Sequence, residues 1–519
     1  MHNQQTMKRF QTTLGALSAA ALLAACGGGG GGDSGPVIDP VPGAFADPAS
    51  YSGAQTASLT APQEGAAIVN TRITLAGKTL DYKATTGHLT ATDPVSGQPT
   101  VSFFYVAYTA GTLDPSKRPV TFFYNGGPGS SSLWLHMGSF GPKRIVTAIP
   151  SNVIAPLQLV DNQETLLDHS DLVFIDAVGT GFTQAVAPRK NGDFWGVDSD
   201  AAAFRDFVRR YVTVNGRQTS PKYLYGESYG SPRTGVLSNL LEVAGVKLSG
   251  IVLQSAVMNY NTNCGVLTPG TTSCEGYIPS YAAVSAYYHL TTPPGDFNTY
   301  LREVRDFSAV TYRPAVATWL QTHTTPPVPV VSQLTAYTGL GSTTWIPNFS
   351  MGPDFYRTQV ASNTMIGRYD ARVNGPLGSA LAADGDPSLT VINAAFTNTV
   401  QSYIRNDLHY TAKTNYVTFN DLINQWNFSH DGKTLPDTIP DVAAALVLNP
   451  ALKVVAMSGY YDLATPFYQT ELDLARLGNN PNIQIKNYGS GHMSYLDDTA
   501  RRAQRDDMLT LYNSESVVP

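Results

Sequence analysis

The segment Tyr223-Leu224-Tyr225-Gly226-Glu227-Ser228-Tyr229-Gly230 reads as an apolar strand running straight into the pattern G-x-S-x-G. Small residues around a serine permit the tight strand-to-helix turn that lifts its hydroxyl above a sheet, where a substrate can reach it. The pattern alone is weak. Its setting between an apolar strand and a helical stretch is what points to Ser228 as a nucleophile.

The texture around that turn agrees. Residues 66–110 alternate apolar and polar in short runs with Gly and Asp-Pro punctuation, which predicts antiparallel strands. Apolar strands follow at 119–124, 171–176, 222–225 and 250–253. A helix from about Ser199 carries Phe204, Phe207, Val208 and Tyr211 on one side. This spacing predicts a mostly parallel sheet covered on both faces. After Ala256 the rhythm stops, and Thr-, Tyr-, Asn- and Pro-rich chain predicts an inserted cap over 259–445, with breakers at 292–295 and 325–329. Strands return at 452–457 and 483–485, and a helix spans 498–512. The 519 residues thus divide into core (61–258), cap, and core again (446–519), within the size that one core plus an insertion allows.

A serine hydroxyl needs an imidazole to take its proton, and the imidazole needs a carboxylate on its other nitrogen. In the α/β-hydrolase fold the chain order is Ser, acid, His. His492 is the late histidine that directly follows a strand, within Gly489-Ser490-Gly491-His492-Met493. Asp462 ends Ser458-Gly459-Tyr460-Tyr461-Asp462 at the carboxyl end of the preceding strand, whereas Glu471 and Asp473 fall in an expected helix and read as solvated. Upstream, Asn125-Gly126-Gly127-Pro128-Gly129 follows another strand. Glycines let a backbone approach a tetrahedral intermediate, so the main-chain N–H groups of Gly127 and Tyr229 are the expected oxyanion hole. No Gly-Lys-Ser/Thr follows the glycines, which argues against a phosphate loop.

A net charge of −6 offers no basic field for nucleic acid. Lys8 and Arg9 precede a short apolar stretch at 14–25, the layout of a secretory signal. Its end, Leu23-Ala24-Ala25-Cys26-Gly27, resembles a bacterial lipobox, so Cys26 is the expected lipid anchor and residues 27–60 the expected Gly/Pro-rich tether. The expectation is an exported lipoprotein, periplasmic or attached to the outer membrane, meeting the membrane only through that anchor. Two further cysteines, Cys264 and Cys274, suggest a local disulfide in an exported chain. Zinc is the weaker reading, because no His or third Cys lies at ligand spacing. No metal or organic cofactor is expected.

Five stretches in order, NGGPGSSS (125–132), IDAVGTGFT (175–183), GESYG (226–230), GYYD (459–462) and GHM (491–493), resemble serine carboxypeptidases over roughly residues 65–515. The resemblance implies an α/β-hydrolase fold, peptide substrates, and release of C-terminal residues through an acyl-enzyme. It also implies that Asn125 and Glu227 hold the substrate's terminal carboxylate. Glu227 must be protonated to donate, so acidic pH should be favoured. The chain departs from the pattern at Phe123, where a Trp is usual, at Ser139, where a second Glu is usual, and at Ser130, where a Cys is usual. An esterase or acyltransferase using the same triad stays open, since fold does not dictate the leaving group.

Overall fold

The computed structural model describes residues 43–152, 158–268, 270–513 and 516–517. The signal-like segment, Cys26 and the glycine run lie outside them. Nine strands form one continuous path: β1 (Ala66–Leu75), β2 (Lys78–Thr92), β3 (Pro99–Ala110), β4 (Val120–Tyr124), β5 (Asp171–Ile175), β6 (Lys222–Glu227), β7 (Gly250–Gln254), β8 (Lys453–Gly459) and β9 (Ile483–Tyr488). Their spatial order is β9-β8-β7-β6-β4-β5-β3-β2-β1, and the two-residue strand Gln184–Ala185 also pairs with β3. The six from β9 to β5 run parallel, and β3, β2 and β1 add antiparallel.

The strands β4, β5, β6 and β7 are buried at every position, as residues covered on both faces must be. Alternate side chains feed two cores. Phe123, Phe174, Tyr225, Val252 and Met457 enter one; Phe122, Tyr124, Ile175, Leu224, Leu253 and Ala456 enter the other. The helices of the core are α1 (Leu133–Gly138), α2 (Val197–Val214), α3 (Gly230–Val243), α4 (Pro387–Asn406), α5 (Ile439–Leu448), α6 (Phe467–Ala475) and α7 (Asp498–Tyr512). The stripe Phe204, Phe207, Val208 and Tyr211 on α2 is buried, as its spacing predicts.

Two boundaries differ from the sequence reading. The cap's own core runs from Cys264 to Ala371 and is joined by Leu463, Phe467 and Tyr468. From α4 onward the chain is back on the main body, because Ile392, Ala395, Phe396 and Val400 pack in the same core as Leu133 and Met137 of α1. Leu422, Trp426, Ile439 and Val442 join the opposite face. Composition marks the entry to the cap; the apolar stripe of α4, diluted by Thr and Asn, marks the exit only once it is packed. The expected tether likewise ends early. Phe45–Ala46 pairs in parallel with Tyr410–Thr411, and the buried Asp47 carboxylate accepts from Tyr51 and Tyr410. Among the described residues no helix is long and apolar enough to cross a membrane.

Candidate active site

The register brings the chemistry to one edge. Tyr124 pairs with Gly226, Glu227 with Gln254, and Gln254 with Met457, so the residues after β4, β6, β7 and β8 leave the sheet side by side at its carboxyl edge. Ser228 sits in a left-handed conformation, φ +58°, between β6 and α3. Its N–H donates to the Gln254 carbonyl at 2.9 Å and its own carbonyl accepts from Ser231 N–H at 2.8 Å. A β-carbon at Gly226 would lie 2.2 Å from the Gly230 carbonyl oxygen, so the turn closes only over a glycine. Ser228 remains partly exposed.

Asp462 follows β8 and is fully buried. Its Oδ1 accepts from the N–H groups of Ala464 and Thr465 at 2.8 and 3.0 Å, and its Oδ2 lies 2.8 Å from His492 Nδ1. Donation by Nδ1–H to that carboxylate leaves Nε2 as the basic nitrogen. Nε2 is buried without a hydrogen-bond partner, so the contact with Ser228 Oγ is not closed here, as is common before substrate binds. Burial works against a charged His492 ring, but Asp462, by charge and hydrogen bond, and Glu227 outweigh it and hold the pKa above the ordinary histidine value.

Loop 125–132 approaches the nucleophile from β4. A β-carbon at Gly126 would stand 2.4 Å from Tyr229 N and 2.7 Å from the Glu227 carbonyl oxygen. Only glycine lets the two turns touch there, which is what an oxyanion hole shared between Gly127 and Tyr229 requires. The Asn125 amide is oriented by the fold: its Oδ1 accepts from Leu135 N–H at 3.0 Å, which turns Nδ2 onto Glu227 Oε1 at 3.0 Å. Glu227 Oε2 is buried and unpartnered, and the Tyr495 hydroxyl lies close by without reaching hydrogen-bond geometry. Burial pushes the Glu227 pKa up to about 7 against the opposing pull of the His492 ring.

Phe123 is stacked between Phe174 and Tyr225 in the core. The Ser139 hydroxyl donates to the Leu135 carbonyl at the end of α1, and Ser130 Oγ donates to the Ser131 carbonyl. Cys264 and Cys274 form a disulfide with Cα atoms 5.3 Å apart. The expectation that Asp473 is solvated is wrong: α6 docks with that face inward, and burial raises the Asp473 pKa to about 7. Glu471 on the same helix accepts from Arg305 Nε and Nη2, each at 2.8 Å.

Several residues at the site went unremarked in the sequence. Thr465 Oγ1 lies between Asp462 and His492. Ser255 Oγ donates to the His492 carbonyl at 2.5 Å. The Tyr369 ring stands edge-on to the His492 ring, with centroids 4.7 Å apart. Asp176 Oδ1 accepts from Ser132 N–H at 2.8 Å and so braces the glycine loop, and its burial lifts its pKa to about 7. Asp176 and Ser255, at the carboxyl ends of β5 and β7, could have been flagged by position; Thr465 and Tyr369 had no local signal.

Residues 75–269, which hold Asn125, Gly127, Glu227, Ser228 and Tyr229, match the family model described as serine carboxypeptidase. A prohormone-processing carboxypeptidase of Saccharomyces cerevisiae superposes with a TM-score of 0.52 at 14% identity, covering 83% of this chain and 91% of that one. This similarity is one of fold. A proline iminopeptidase of Mycobacterium smegmatis overlaps less well, with a TM-score of 0.34 at 15% identity over 82% of this chain and 99% of that one.

Proposed function

From the premise that the chain belongs to the serine carboxypeptidase family, and is therefore a hydrolase, we propose that it releases C-terminal residues from peptides through an acyl-enzyme on Ser228. Ser228 Oγ attacks the last peptide carbonyl while His492 Nε2 takes its proton. The developing oxyanion is held by the N–H groups of Gly127 and Tyr229. His492 returns the proton to the leaving amino acid, and water activated by the same nitrogen then hydrolyses the ester.

The observation that carries the exopeptidase reading is the Asn125–Glu227 pair. Nδ2 of Asn125 occupies Oε1, so the proton of the neutral Glu227 carboxyl belongs on Oε2, the buried oxygen that makes no hydrogen bond although the Tyr495 hydroxyl lies near the carboxyl. A substrate's terminal carboxylate supplies that acceptor, one residue from the nucleophile. The second reading, an esterase or acyltransferase, is favoured by Ser139, which leaves Glu227 without the second carboxyl of the family pattern.

The test is digestion of blocked dipeptides with free or amidated carboxyl ends at pH 5 and pH 8, beside Ser228→Ala. Release of the last residue from free acids alone, lost in the variant, supports a carboxypeptidase. Turnover of simple esters without peptides moves the function to the second reading. For Cys26 we propose lipidation after export, on the lipobox-like sequence alone; Cys26→Ser is expected to leave the protein in the soluble fraction, and retention in the membrane fraction refutes the anchor.

A further inference from the structure

Asp462-Leu463-Ala464-Thr465-Pro466 is a short loop between β8 and α6, and Thr465 within it is buried. Its hydroxyl oxygen lies 3.0 Å from His492 Nδ1, 2.8 Å from Asp462 Oδ2 and 2.9 Å from the Ser255 carbonyl. A threonine hydroxyl has one proton to give and lone pairs to accept with. Here it gives its proton toward Asp462 Oδ2 or the Ser255 carbonyl, and its oxygen faces the Nδ1–H that Asp462 also accepts.

The surroundings make this more than a loop contact. Ser255 sits at φ +48°, donates from Oγ to the His492 carbonyl and receives Thr465 on its own carbonyl. Its neighbour Gln254 accepts the Ser228 N–H and donates Nε2 to the His492 carbonyl at 3.2 Å. The nucleophile and the base therefore hang from one dipeptide at the end of β7. Thr465 closes that arrangement onto the acid.

Resting on the acyl-transfer reading above, we infer that Thr465 is a positioning residue of the triad, whose hydroxyl shares the His492 Nδ1 proton with Asp462 and fixes the carboxylate and the ring relative to Ser228. Its oxygen is a second acceptor for a ring that becomes an imidazolium in the transition state, and hydrogen bonds to a charged partner are the stronger kind. Preorganised contacts of this sort act on the rate without touching substrate.

The test uses the full chain and an irreversible fluorophosphonate, which reads nucleophile activation at Ser228 whatever the natural acyl donor. Labelling rates are measured from pH 4 to 9 for wild type, Thr465→Val, Thr465→Ser and Ser228→Ala. The charged and titratable groups facing the ring, Asp462, Glu227, Arg368 and Tyr369, are the same in wild type and both Thr465 variants. Thr465→Val is expected to label about tenfold more slowly, with its acid limb moved to lower pH, because the ring loses an acceptor that favours its charged form. Thr465→Ser is expected to restore both within about twofold. A purely structural role would lower the melting temperature and leave the limb in place.

Wild-type labelling with an unmoved limb in Thr465→Val overturns the inference, as does a Ser variant as slow as the Val one. If the Val variant does not fold, Thr465→Ala is compared with Thr465→Ser under the same criteria. Labelling that survives Ser228→Ala overturns the triad reading itself, a different outcome from Ser228-dependent labelling indifferent to Thr465.

Discussion

On the proposed carboxypeptidase reading, replacing Glu227 by Gln is expected to separate carboxylate recognition from catalysis. In the wild type, burial holds the Glu227 pKa near 7 rather than at the ordinary glutamate value. The raised value keeps the donor form present to higher pH, and it is lost as pH climbs through about 7. A glutamate of ordinary pKa would already be ionised at pH 6. By simple titration the neutral form is nearly complete at pH 5, falls to about one part in ten at pH 8 and to about one in a hundred at pH 9. The substrate carboxylate is ionised throughout this range, so an ionised Glu227 repels what its neutral form binds. The quantity to measure is the ratio of kcat/KM for a free-acid peptide to that for its amidated twin. Both need His492 as base, and Glu227 and His492 interact, so the ratio removes the limb they would otherwise blur together. In the wild type the ratio is expected to fall about tenfold from pH 5 to pH 8 and about a hundredfold by pH 9. In Glu227→Gln the new side-chain amide retains an oxygen for Asn125 Nδ2 and a permanent N–H donor for substrate, so the ratio is expected to be flat. A flat wild-type ratio, or an equal decline in the variant, would refute the reasoning.

Gly126→Ala places a methyl group against Tyr229 N and the Glu227 carbonyl, backbone atoms that cannot turn aside. The expected loss in kcat on a simple ester is about a hundredfold or more, the scale of one lost oxyanion donor; a rate within threefold of wild type would contradict the placement of the loop. Asp176 has a folded pKa raised to about 7 by burial, so its contribution to stability is full below about pH 4 and is lost as pH rises through 7. Asp176→Asn is therefore expected to be more stable than wild type at pH 8.5, by up to ~4 kcal/mol, with the gain gone at pH 4; urea curves that keep the same offset at both pH values would count against it. Reduction of the Cys264–Cys274 disulfide, or Cys264→Ser with Cys274→Ser, should cost ~2–3 kcal/mol and lower the melting temperature by a few degrees, and an unchanged melting curve would refute that.

Much of the site was legible because its signals are contiguous. Ser228, Asp462 and His492 each stand in a glycine-bearing turn after a strand, and the sheet order then carries all three to one edge. The glycine loop after β4 was legible for the same reason. The exit from the cap was not, since the stripe of α4 is diluted by Thr and Asn and acquires meaning only against α1. Asp473 was misread because a helix with charges on more than one side does not say which side docks.

From the sequence alone came the hydrolase class, the three candidate triad residues, their order along an α/β sheet and the glycine turns that let backbones meet. Tertiary structure alone decided which carboxyl groups have their pKa raised to about 7, namely Glu227, Asp176 and Asp473, because desolvation sums over every element packed around a group. It also decided that Thr465 meets His492, 27 positions away, and that Ser255 meets it from 237 positions away. A turn can be written in five adjacent residues, but a hydrogen bond between distant loops exists only once the sheet has set their register.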